Sequence, residues 1–144
     1  MALRQAQEQN SFVAFVTDQL RRWSPVAARR RFGGHGVYRA DTMFAIVSRD
    51  TLYFRTDAIN QPDFEAAGMA PFRVGKVGGE RIALSYHEVP AEVLEDAEIL
   101  APWADRAFAA ALRRDDAQRR GKSAGRKRPQ AQRRAPRPPK RRKG

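Results

Sequence analysis

Between Arg29 and Arg55 the sequence RRRFGGHGVYRADTMFAIVSRDTLYFR leaves the chain little choice of fold. Met43-Phe44-Ala45-Ile46-Val47 is a continuous apolar run of strand length, as expected of a central strand covered on both faces. Thr51-Leu52-Tyr53-Phe54-Arg55 alternates instead, with Leu52 and Phe54 on one side and Thr51, Tyr53 and Arg55 on the other. Arg49-Asp50 between the two runs has room only for a tight turn. Upstream, Arg29 to Phe32 and Val37-Tyr38 flank Gly33-Gly34-His35-Gly36, where three glycines in four residues weaken a plain strand but permit a bulge with positive φ. The spacing therefore predicts a bulged first strand returning at Arg39 to Thr42, and three short antiparallel strands whose apolar content needs helices to cover one face.

The flanking segments supply those helices. Ser11 is a plausible N-cap, and Phe12, Phe15, Val16 and Leu20 recur at three- and four-residue intervals, which predicts a helix ending near Arg22 with residues 1–10 as a flexible N-terminus. Ser24-Pro25 ends it, because a residue before proline is pushed out of the α region. After Arg55, Thr56-Asp57 marks a helix start, and Ile59 to Ala67 makes a short helix with Phe64 inward, Pro62 in its first turn and Gly68 as its stop. Pro71 to Val74 reads as a fourth strand, Gly75 to Glu80 as a hairpin loop and Arg81 to Tyr86 as a fifth strand with Ile82, Leu84 and Tyr86 on one face. Val93, Leu94, Ile99, Leu100, Trp103, Ala107, Phe108, Ala111 and Leu112 form a last apolar stripe, in which Pro102 implies a kink or a restart, and the stripe stops by Arg114. The sum is an α+β fold in two layers, one antiparallel five-stranded sheet with helices, in the order α-β-β-β-α-β-β-α.

The formal charge of +12 belongs to one end of the chain. Of the 28 lysines and arginines, 13 lie between Gln118 and Gly144 with no acid among them, leaving 15 basic residues against all 16 acidic ones in the first 117. The basic segment has no Val, Ile, Leu, Met or aromatic residue and contains four prolines. Such a composition buries too little apolar surface to offset an ordering entropy of about 1 to 2 kcal/mol per residue. Residues 11–114 are thus expected to form the domain and 115–144 a disordered Lys/Arg/Pro-rich tail. With no cysteine, disulfides, thiolate metal sites and cysteine nucleophiles are excluded. No apolar run approaches the ~20 residues of a membrane span and Met1 to Asn10 is polar, so a cytoplasmic protein without membrane insertion is expected.

Taken together, Arg31-Phe32-Gly33-Gly34, Gly36-Val37-Tyr38, Met43-Phe44-Ala45, Leu52-Tyr53-Phe54-Arg55, Tyr86 with Glu88-Val89-Pro90, Leu94-Glu95-Asp96 and Trp103-Ala104 resemble the TfoX/Sxy N-terminal domain family. The resemblance runs from about Phe12 to Leu112 and keeps the order of the motifs. It implies the same α+β arrangement, and a role like that of transcription co-regulators of natural competence, which act with a cyclic-AMP receptor protein at promoters. Members of that kind carry a second, helical C-terminal domain where this chain has its basic tail. His87 stands where an aromatic residue is more usual.

Sites of chemistry are sparse. The glycine cluster lacks the Lys-Ser/Thr pair of a phosphate-binding loop and the strand-to-helix turn of a dinucleotide loop, which leaves a structural bulge. His35 and His87 would need Asp41 or Glu88 to complete a metal site, and nothing in their spacing follows a zinc pattern. Asp57, Glu92, Asp96 and Asp105 suit helix caps or exposed positions rather than a catalytic pair. No catalytic residues, no metal and no cofactor are expected, and the protein is not expected to be an enzyme.

The tail carries the functional signal. Arg126-Lys127-Arg128, Arg133-Arg134, Arg137 and Lys140-Arg141-Arg142-Lys143 are clustered cations of the kind that neutralise phosphates and release counterions. Without aromatic residues or a rigid reading helix among them, base-specific recognition is not expected. The expected partners are nucleic acid through the tail and a transcription regulator through the nearly neutral domain. A homodimer through the Thr51, Tyr53, Arg55 face is a further expectation. The reading is a non-enzymatic regulatory or adaptor protein; the alternative is a protein-interaction module whose tail contacts RNA, ribosomes or acidic surfaces only incidentally.

Overall fold

The computed structural model describes residues 2–31, 33–77 and 80–132, with side chains for 11–31, 33–74 and 84–121. In order, the elements are helix α1 (Ala2–Arg21), strands β1 (Ala27–Arg31), β2 (Gly34–Arg39), β3 (Thr42–Ser48) and β4 (Thr51–Arg55), helix α2 (Gln61–Ala66), strands β5 (Pro71–Val77) and β6 (Glu80–Glu88), and helices α3 (Ala91–Leu94) and α4 (Ala97–Gln132). All strand pairs are antiparallel, in the sheet order β1-β2-β3-β4-β6-β5. The chain divides into a body, Met1–Ala111, and a second unit, Leu112–Gly144.

The α+β class with one antiparallel sheet stands, but the sheet has six strands rather than five. What the sequence suggests is one bulged strand is a hairpin. Gly33, at φ 73°, occupies the tight connection between Arg31 and Gly34, where a left-handed backbone favours glycine. The other glycines serve close packing. A Cβ on Gly34 would collide with the backbone carbonyl oxygen of Val47 on β3, and one on Gly36 would lie 2.5 Å from Met43 Sδ. The bulge is on β3 instead: Val37 pairs with Ala45 and Tyr38 with Met43, so Phe44 is the extra residue. It turns Phe44 to the same face as Ala45 and Val47 and leaves Met43 and Ile46 on the other. The β2–β3 and β3–β4 hairpins are closed by two-residue turns, Ala40-Asp41 and Arg49-Asp50, with all four residues at positive φ. That geometry matches the twist of the flanking strands.

One face of the sheet is covered by helices. Val16 and Leu20 of α1, Phe64 of α2, Val93 and Leu94 of α3, and Leu100, Ala104, Ala107 and Ala111 of α4 pack on Val37, Phe44, Val47, Leu52 and Phe54. Phe44 meets Trp23 at 5.4 Å, Phe54 at 6.0 Å and Phe108 at 6.1 Å between ring centroids. On the other face Ile46, Phe72 and Tyr86 form a second cluster with Met43, Tyr53, Val74 and Leu84, and among the described residues every member belongs to a strand.

Helix boundaries also differ from the sequence reading. Helix α1 begins at Ala2 rather than Ser11, and Phe15 points outward, because Val16, Thr17 and Leu20 already fill the buried face. The last helical segment breaks at Glu95-Asp96, not at Pro102. There Asp96 Oδ1 accepts hydrogen bonds from the Glu98 and Ile99 amides at 3.0 and 3.3 Å and caps α4. Helix α4 then runs past Arg114 to Gln132, so residues 115–132, expected to be without structure, are helical here; 133–144 lie outside the described residues. A physical reason up to Arg120 is that Ala, Arg and Gln favour helix without needing an apolar stripe, and Arg120 pairs with Asp116 at 2.7 Å one turn back; Gly121, Gly125 and Pro129 beyond it work against helix.

Substituting Gly34→Ala should lower the unfolding free energy by about 1 to 3 kcal/mol in a urea titration, since the atom in the way is backbone and β2 or β3 must shift.

Candidate nucleic-acid interface

The cationic residues singled out in the sequence fall into two groups. Arg126, Lys127 and Arg128 lie within the helical stretch of α4, in the second unit. Arg133, Arg134, Arg137, Lys140, Arg141, Arg142 and Lys143 lie outside the described residues. The switch in charge falls within the helix: Asp115 and Asp116 are the last acids, and everything after Ala117 is basic or neutral. Backbone amides and carbonyls of an α-helix satisfy one another, so Arg126, Lys127 and Arg128 are carried by an element whose hydrogen bonding does not compete with a ligand.

The body offers little to chemistry by comparison. His35 pairs with Val47 across β2 and β3, and His87 pairs with Phe54 across β4 and β6. Three strand spacings separate their strands, about 14 Å, which is too far for one ion to hold both. Among the described residues no three histidine, aspartate or glutamate side chains are grouped to hold a metal. A cleft lined by Val13, Gly33, Gly34, His35, Val47, Arg49 and Asp50 encloses about 10 Å³, roughly the least that takes one water.

His87 is a core residue. It is buried beside Phe64, at 5.8 Å between rings, and shares a 2.9 Å hydrogen bond between its Nδ1 and Thr56 Oγ1, which is also buried. Burial pushes its pKa below 6.5, opposed in part by the Glu65 carboxylate. Burial lowers His35 as well, with help from the Arg30 charge.

The face of the sheet away from the helices holds groups that the basic tail lacks. Arg29, Arg31 and Tyr38 meet there: the Arg29 guanidinium lies 4.8 Å from the Tyr38 ring centre, and Arg31 Nη1 donates to Tyr38 Oη at 2.8 Å. Arg55 lies 5.1 Å from the Tyr86 ring, and Tyr53 packs on Phe72 at 4.6 Å. The alternation of Thr51, Tyr53 and Arg55 gave half of this face. Arg29, Arg31 and Tyr38 were missed because their strand pairing, Arg29 with Gly36 and Ala27 with Tyr38, follows only once the glycine cluster is a turn.

Comparison with protein families places this geometry. Residues 18–111 match the family model described as the TfoX N-terminal domain. The chain belongs to that family. No curated protein matches it. The matched span begins in α1 and ends at the last residue of the body, so the cationic stretch from Gln118 falls outside the TfoX N-terminal domain.

The histidines set a pH dependence. A folded-state pKa below that of the unfolded chain means the unfolded chain takes up protons first, so this contribution to stability is complete above about pH 6.5 and is lost as the pH falls from there towards the folded-state value. The melting temperature should fall between about pH 7 and pH 5.5, and in a His35→Gln background the further change His87→Phe should flatten that fall. An equally steep fall in the doubly substituted protein would place its origin in other groups.

Proposed function

We propose that this TfoX-domain protein is a non-enzymatic regulator held on nucleic acid by its cationic C-terminal segment, with the body left to contact a transcription regulator. The observation that carries the reading is the division of charge along the chain. Membership of the TfoX N-terminal domain family supports a regulatory, competence-related role for the body, while 13 basic residues and no acid occupy Gln118–Gly144. A nearly neutral body can meet a protein partner without long-range repulsion. A segment that neutralises phosphates by ion pairing gains its affinity from released counterions and is indifferent to base sequence.

This reading places the protein in the cytoplasm, where nucleic acid and regulator are both accessible. Among the described residues no helix is long and apolar enough to cross a membrane.

A salt titration of duplex DNA binding tests the proposal. If ~5 to 8 phosphates are contacted, log affinity should fall against log salt with a slope of about −4 to −7, and a chain ending at Ala117 should lose that binding. Binding that survives the truncation would move the site into the body.

A further inference from the structure

The helix-free face of the sheet is explained neither by family membership nor by the cationic segment. At its centre Ile46, Phe72 and Tyr86 are 1%, 6% and 4% exposed, and half-buried Met43, Tyr53, Val74 and Leu84 surround them. What the face does present is cationic and planar. Arg29 and Arg31 are exposed, Tyr53 and Arg55 are half-buried, and the Tyr38 and Tyr86 rings back the guanidinium groups of Arg29 and Arg55.

Two Arg–Tyr groups result, one on β1 and β2 and the other on β4 and β6. From β2 to β4 is two strand spacings, about 10 Å. Among the described residues the acids on or beside this face are Asp41, which pairs with Arg29 at 3.6 Å, and Glu88, opposite Tyr53. An acidic peptide would use the arginines but not the rings. An unpaired nucleic-acid strand uses both, because every base has a π-face that stacks on an aromatic ring or a guanidinium plane while its phosphate takes the charge.

We propose that the helix-free face of the sheet, where Arg29 and Arg31 are set against Tyr38 and Arg55 against Tyr86, with half-buried Tyr53 beside them, binds a single strand of DNA. Phosphates lie on the guanidinium groups, and bases stack on Tyr53 and on the guanidinium planes. The choice of DNA over RNA rests on the regulatory reading above; the site itself rests on the face alone. This site complements the cationic segment, which has charge but no rings.

The test is fluorescence anisotropy of the full-length chain with a labelled oligothymidine of about 20 nucleotides, longer than the 4 to 16 nucleotides such sheet surfaces cover, and with a duplex of equal length. Tyr53→Leu and, separately, Arg29→Gln with Arg31→Gln should each weaken oligothymidine binding roughly 5- to 100-fold and leave duplex binding within about 2-fold. Arg29 and Arg31 are exposed, so the paired substitution leaves the core intact and reports on binding even if Tyr53→Leu is unstable. Unchanged oligothymidine binding by the arginine variant overturns the proposal and leaves the cationic segment's role standing. If Arg126→Gln with Lys127→Gln and Arg128→Gln leaves duplex binding intact while the face variants lose oligothymidine, the assignment of phosphate contacts to those three residues fails and the face proposal stands. Tighter binding of oligouridine than of oligothymidine overturns the choice of DNA.

Discussion

The packing of Phe44 is the contact on which the rest of the body depends. Strand β3 is central and apolar throughout, so without an irregularity its residues would divide evenly between the two faces. The extra residue opposite Tyr38 breaks that parity and sends Phe44, Ala45 and Val47 to the helix side. Phe44 then meets Trp23 from the α1–β1 connection, Phe54 from β4 and Phe108 from α4, and is fully buried. A phenylalanine in such a site is worth about 1.5 to 3 kcal/mol in transfer alone, and edge-to-face contacts add to it. Arg39 closes the cluster from outside, with its guanidinium 4.7 Å from the Trp23 ring and 4.5 Å from the Phe108 ring.

The same parity break makes the two faces chemically different. The helix side takes the large aliphatic and aromatic residues together with the buried Thr56–His87 pair. The other side keeps a smaller cluster that its own strands cover, and there Arg29, Arg31 and Arg55 lie against tyrosines rather than against carboxylates alone. Charge is divided a second time along the chain, with balanced signs up to Ala117 and cations only beyond it.

Much of this was legible in residue types, and the failures have specific physical causes. The apolar run of β3, the alternation of β4 and the Arg49-Asp50 turn between them follow from period and length, as do Phe64, Pro62 and Gly68 of α2. The turn at Gly33 was not separable from a bulge, because glycine-rich sequence licenses both, and the decisive fact is the close approach of Gly34 to Val47 on another strand. The bulge at Phe44 was hidden because a run of five apolar residues shows no slip in alternation. Ends of helices were misjudged wherever the apolar stripe was the guide: α1 starts before its stripe and α4 continues after its own, on residues that favour helix without packing. The family's motifs lie within the body, which is why they gave its class and said nothing of the cations beyond it.

Amide hydrogen exchange with and without duplex DNA tests the division between body and cationic segment most directly. Amides of β3, β4 and Leu100–Ala111 should exchange equally slowly in both states, while those of 118–132 gain protection on binding. Added protection confined to the sheet or to α1, with 118–132 unchanged, would contradict the account.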